Sequence, residues 1–432
     1  MRRIEIVRTI FIVVATGLLA APPSQAATWS EPVRIAAPTP GSASVQGSFT
    51  PAGRLDAFWS GSYDPPGCEY HCSPPVRTYA AHRAADGLWS TPVEIKGKTT
   101  FAGSAIGPDG DDGSLLLGAL GATEFEEPVA VGAVGLQGSA FDAPVNVSAG
   151  TTDPYEIGEL DAAVGTSGDA ILVWDEATAL APSYPIYAAR HLPGRRFGKP
   201  KLLGRPRALY LIDTAVSDRG DAVTAWEAGD RWQARAAARG GSFGRTVTFR
   251  GRSLSHAVAI DASGRATVLL ELRDRDRSRL VAYRWRGAGA VHRYKLDSWR
   301  VRGNVANLRV VSRGGETFAV WRDGPGDNAR IRTATFRARG PAIKPVAGAL
   351  GTAPQSIDML TDGRAAVLLA DGRVVLRDST GSLQVAEQPI TPAQAGLGTV
   401  ALDPRSGAPT VLFVVNGAED EGYSVFATDR HP

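Results

Sequence analysis

The chain has 432 residues, a formal net charge of +3, 43% hydrophobic residues and 21% charged ones. That balance excludes a polytopic membrane protein and a disordered chain. Lys and Arg exceed Asp and Glu by only 47 to 44, which gives no sign of the electrostatic attraction that dominates nucleic-acid binding. At roughly 150 residues per domain the length suggests about three domains, but the chain repeats, and the repeat changes the count.

Arg2, Arg3 and Arg8 are followed by an apolar run from Ile10 to Ala21 and by the small-x-small site Ser24-Gln25-Ala26. This is the three-part layout of a secretory signal peptide, so residues 1–26 are expected to be removed and 27–432 to form the mature chain. The apolar run is too short to span a bilayer comfortably, and no Cys follows it to carry a lipid. A product released outside the cell or into the periplasm, with no membrane anchor, is the expectation.

From there the predicted elements recur. Gly53, Gly113, Gly168, Gly220, Gly264, Gly315, Gly363 and Gly407 are spaced by 44 to 60 residues, and six positions after each stands Trp59, Ala119, Trp174, Trp226, Leu270, Trp321, Leu369 or Phe413. The intervening residues, such as Ala170 to Val173 and Ala222 to Ala225, are apolar or small at odd and even positions alike. A strand of that kind must be covered on both faces. Each unit adds a short apolar segment before the glycine and two strand-like segments after it. Four short antiparallel strands repeated about every 50 residues predict an all-β chain folded as one β-propeller. Eight blades are expected, with seven as the alternative, because the loops of the seventh unit are very short.

The last repeat ends after its third strand, near Tyr423 to Asp429. The missing fourth is supplied by Trp29-Ser30-Glu31-Pro32-Val33-Arg34-Ile35, which matches Trp89 to Ile95 in the first unit. An N-terminal strand is thus expected to close the ring in the last blade and remove an open sheet edge. The four Trp residues at equivalent repeat positions are expected to pack between blades.

With strands lettered A to D from the axis outward, the A–B and C–D turns lie on one face and the B–C and D–A connections on the other. The A–B turns are tight and the B–C loops vary in length, so a binding face is expected on the B–C/D–A side. In chain order, the candidate ligand-binding residues there are Tyr63, Asp64, Tyr155, Glu156, Asp175, Glu176, Tyr184, Trp232, Trp299 and Arg300. Flat rings flanked by carboxylates and an Arg suit a sugar. If the chain is instead an enzyme, Asp175, Glu227 and Glu271, directly after second strands, are the candidate acid and base groups of a glycan hydrolase or lyase. Cys68 and Cys72, in the longest loop, are expected to form a local disulfide in an exported protein. The six histidines show no metal-binding spacing, and no phosphate loop, dinucleotide fingerprint or Gly-x-Ser-x-Gly elbow is present, so neither a metal nor a cofactor is expected.

Segments such as Ala259-Ile260-Asp261-Ala262-Ser263-Gly264 resemble the strand-turn-strand units of secreted bacterial β-propellers of the NHL and sialidase-like superfamilies. The resemblance covers essentially the whole mature chain. Propellers of those groups bind proteins, nucleic acids or glycans, or cleave glycans, so what it implies is a fold and a range of activities. The Asp-box repeat of sialidases is missing, and the glycine-to-Trp spacing departs from that of quinoprotein dehydrogenases, so neither a sialidase arginine triad nor a quinone is carried over. The expected function is non-catalytic binding of an extracellular glycan or protein by a monomer.

Overall fold

A computed structural model describes residues 28–431 except 40–41, 63–75, 85, 96–99, 111–112, 122–129, 138–139, 142–144, 149–155, 178–182, 210, 275–276, 301–306, 325–326, 338–339, 387, 392–397 and 417–422. Among the described residues all regular structure is strand, and no helix is long and apolar enough to cross a membrane. The strands form eight antiparallel sheets, each of four strands except the second, where the short Ala140–Phe141 adds a fifth. The blades span 42–94, 100–146, 156–204, 212–250, 253–300, 309–350, 354–385 and 399–429, the last completed by Val33–Thr39. The innermost strands pack against one another around the ring, and Thr399–Leu402 of blade 8 meets Ser42–Phe49 of blade 1. The protein is an eight-bladed β-propeller, and the seven-bladed alternative is excluded.

The second strands form the core for the reason their composition gives. In Ala170–Ala177 the run from Ala170 to Trp174 is essentially inaccessible, and so are Ala222, Val223, Ala225 and Trp226 in Ala222–Ala228. Both faces of each such sheet are covered by neighbouring blades. Trp59, Trp174, Trp226 and Trp321 are all fully buried; Trp174 stacks on Tyr187 at 6.0 Å, and Trp226 donates its indole N–H to Gln233 Oε1 at 3.0 Å.

The repeating glycines are turn residues. Gly53, Gly168, Gly220, Gly264, Gly315, Gly363 and Gly407 all have positive φ. Each tight hairpin needs a left-handed residue at this point, which glycine adopts without a Cβ penalty. Gly220 is doubly constrained, because a Cβ at its φ of +81° would stand 2.3 Å from Asp169 Cγ. Blade 2 departs from the expected register: Gly110 takes the left-handed position, and Gly113 instead begins the second strand opposite Asp109.

Closure follows the expected route. Val33–Thr39 pairs antiparallel with Tyr423–Asp429, Val33 opposite Ala427 and Thr39 opposite Tyr423, and Trp29 forms a further bridge with Arg430. The first and last strands among the described residues thus meet in blade 8. The tight B–C turn of blade 7 is set by Gly372 at φ +85°, whose N–H bonds Leu369 O at 2.9 Å.

Candidate functional site at the channel

The inner strand of each blade has one edge paired within its sheet and one facing the axis. Main-chain groups along that second edge need partners, because buried N–H and C=O groups are costly when left unpaired. Side chains supply them from blade to blade. Asp161 in blade 3 accepts from Thr214 N of blade 4 at 2.5 Å, and Asp213 in blade 4 accepts from Val258 N of blade 5. Ser255 in blade 5 accepts from Leu308 N of blade 6 at 3.4 Å, and Arg309 in blade 6 donates to Gln355 O of blade 7 at 2.7 Å. Ser356 and Asp358 in blade 7 accept from Val400 N and Leu402 N of blade 8 at 2.9 and 2.8 Å.

This lacing brings Asp161, Asp213 and Arg309 to one stretch of channel wall, with His256 beside Asp213. The inner strands of blades 3 to 6 bound a cavity of about 330 Å³ lined in part by Asp213, Thr214, His256, Arg309 and Arg313. Burial, reinforced by the charge of Asp213, raises the Asp161 carboxyl well above the usual range. Burial likewise pushes Asp213 up to about 7, against backbone N–H donors and the Arg309 charge, which favour its anion. His256 Nε2 stands 3.9 Å from Asp213 Oδ2, and burial lowers its imidazole to about 4. Near neutrality the Asp213 carboxyl is thus poised between its protonated and ionised forms beside a neutral imidazole.

The tight-turn end of the channel is bridged. Asp218, in the A–B turn of blade 4, accepts from Thr166 Oγ1 of blade 3 at 2.9 Å and from Gly314 N of blade 6 at 2.6 Å, and pairs with Arg313 at 3.5 Å. Asp213, His256 and Arg309 lie nearer the opposite end of their strands, toward the D–A connections.

The acids expected at the ends of second strands are buried and engaged. Asp175, 2% exposed, accepts from Glu159 N at 2.5 Å, and its carboxyl is raised chiefly by burial. Glu176 accepts from the Trp174 indole at 3.4 Å. Glu227 accepts from Ser253 N at the start of blade 5; burial raises its carboxyl and the Arg252 charge opposes the shift. Glu271 is fully buried, and its backbone carbonyl receives the Ser253 hydroxyl at 3.3 Å.

Of the expected aromatic groups, Tyr184 is half-buried on the B–C side, its N–H bonded to Pro206 O at 2.8 Å. Trp299 is half-buried against the core between blades 5 and 6, and Arg300 beside it is exposed. Trp232 is the correction: it is fully buried, with its ring 4.6 Å from that of His256, so it presents no face to a ligand. Its place in a strand that alternates inward and outward side chains, Arg231–Ala237, puts it on the inward face. Tyr63, Asp64, Tyr155, Cys68 and Cys72 lie outside the described residues, as does the side chain of Glu156, whose backbone opens the inner strand of blade 3 opposite Ala177.

Asp161, Asp213, His256 and Arg309 were not among the residues expected from sequence. One signal was available: Asp161 and Asp213 each stand seven residues before a turn glycine, on the apolar segment that precedes it. Among the described residues no group of three or more His, Cys, Asp or Glu side chains is placed to hold a metal ion.

No protein-family model matches the chain, and no curated protein matches it in sequence. Solved structures do resemble it in fold. The endosialidase of phage phi92 is 9% identical with a TM-score of 0.41, over 94% of this chain and 68% of that one. The polysaccharide lyase Uly1 is 8% identical with a TM-score of 0.46, over 96% and 94%. The NanB sialidase of Streptococcus pneumoniae is 13% identical with a TM-score of 0.37, over 95% and 71%. The likeness is one of fold alone.

Proposed function

We propose that the chain is an exported propeller, freed of residues 1–26, that binds an extracellular glycan on its B–C/D–A face without transforming it. The observation that carries this reading is the engagement of the strand-end acids. Asp175 and Glu227 accept backbone N–H groups of inner strands, and Asp175 is 2% and Glu227 6% exposed. They brace the ring and are poorly presented to a scissile bond, whereas the half-buried Tyr184 of blade 3 and the exposed Arg300 of blade 5 stand on the B–C/D–A rim. Sugar recognition needs little more than such a flat apolar face with polar groups beside it.

A glycan array run beside a polysaccharide-degradation screen tests the proposal. Binding without degradation is expected, and Arg300→Ala should weaken it about tenfold, the usual scale for one charged hydrogen-bonding partner. A second reading, a glycan hydrolase or lyase, is favoured by one arrangement only: the Asp161–Asp213 pair beside a cavity and a neutral His256. Degradation of a polysaccharide that Asp213→Asn abolishes, with the fold intact, would replace the first reading with this one.

A further inference from the structure

The net charge of +3 conceals a strong polarity. Residues 190–302, from the third strand of blade 3 to the end of blade 5, hold 25 Lys and Arg against 10 Asp and Glu; the rest of the chain holds 22 against 34. Charge is densest on the outer rim of blade 3. Between Glu176 and Asp213 there is no acidic residue at all, and seven cations stand in that interval. Six of them, Arg195, Arg196, Lys199, Lys201, Arg205 and Arg207, are exposed, and among the described residues none has an ion-pair partner. Elsewhere many cations are neutralised locally, as in Arg54–Asp56 at 2.9 Å, Arg337–Glu316 at 2.9 Å and Arg373–Asp371 at 2.6 Å.

The six form a track over the height of the ring. Arg195 and Arg196 sit in the C–D turn, Lys199 and Lys201 flank and enter the outermost strand Lys201–Gly204, and Arg205 and Arg207 follow it on the D–A side. Pro206, between the last two, bonds to the backbone of Tyr184, so the track ends at the rim already assigned to ligand. Charged residues on an outer strand can serve simply to block edge pairing. That role does not account for this track, because five of its six cations lie outside the strand, in the flanking turn and connection.

From this juxtaposition we propose that the outer rim of blade 3 is a binding surface for an anionic polysaccharide, a chain bearing carboxylate or sulfate groups, that continues onto the B–C/D–A face. The choice of a glycan rests on the function proposed above; the requirement for negative charge rests on the track alone. Unpaired, exposed guanidinium and ammonium groups in a row match a linear polymer of repeating anions, and such attraction is weakened by salt.

The test uses the full propeller chain on dextran sulfate and polygalacturonate, with neutral dextran, duplex DNA and anionic lipid vesicles in parallel. Tight, salt-sensitive retention on the two acidic polysaccharides is expected, and Arg196→Ser with Lys201→Ser should weaken it about tenfold at 0.15 M salt. The control Arg34→Ser with Lys344→Ser removes the same charge from exposed sites outside the track and should leave retention close to that of the parent. Equal loss in both double variants, or none in either, overturns the proposal. So does retention on DNA or vesicles as strong as on the polysaccharides. Both variants should melt with the parent, since all four side chains are exposed; a track variant that unfolds is replaced by Arg205→Ser with Arg207→Ser. Neutral glycans bound on the array with no preference for acidic ones would sink this inference and leave the proposed function standing; no glycan bound at all would remove the proposed function.

Discussion

At the scale of single residues, two buried groups carry opposite lessons. Trp174 fills space between sheets and has no exposed atom to offer a ligand, so Trp174→Ala should cost about 3–5 kcal/mol of stability, read as a shift in the denaturation midpoint. A variant that melts with the parent would contradict the packing role. Asp213 instead couples stability to pH. Its folded carboxyl, near 7, lies above its unfolded value, so the folded state holds the proton more tightly and the contribution is full in acid and lost as pH rises toward 7. Asp161 acts in the same direction. His256, lowered to about 4, acts in the opposite sense, its contribution being lost as pH falls from about 6.5 to 4. With Asp213→Asn, melting curves between pH 5 and 8 should show the variant gaining on the parent as pH rises. A constant gap would mean that Asp213 ionises in the fold as it does in the open chain.

At the scale of elements, the closing strand is the one whose loss has the largest reach. Deleting residues 28–39 leaves Tyr423–Asp429 as an unpaired edge and removes the cover over its neighbours. The shortened chain should melt at a lower temperature and self-associate, both visible in thermal denaturation followed by light scattering. A monodisperse, equally stable product would show that blade 8 holds without it. The strands themselves were readable because their signal is local: a glycine with positive φ, six residues, then a large buried side chain. The lacing of inner strands was not readable. Whether Asp161 meets Thr214, 53 positions away, depends on how two blades are rotated about the axis, and no local pattern records that.

At the scale of the whole molecule, the repeat foretold the ring and its point of closure, but it misdirected the search for chemistry. Carboxylates at the ends of second strands looked accessible because loops follow them, yet Asp175 and Glu227 turn inward to backbone donors. Trp232 looked like a sugar platform and lies in the core. The mean charge misled in another way: a sum close to zero resulted from a basic arc over blades 3 to 5 offset by an acidic remainder.

The pairing of Val33–Thr39 with Tyr423–Asp429 also governs how the propeller can be presented. The first and last described strands both belong to blade 8, and in a ring of eight that blade stands diametrically across from blade 4, the middle of the basic arc. A tag, tether or fused partner at either end therefore holds the molecule by its far side and leaves the cationic rim directed outward. Attachment through a terminus is accordingly an oriented attachment, whichever end is used.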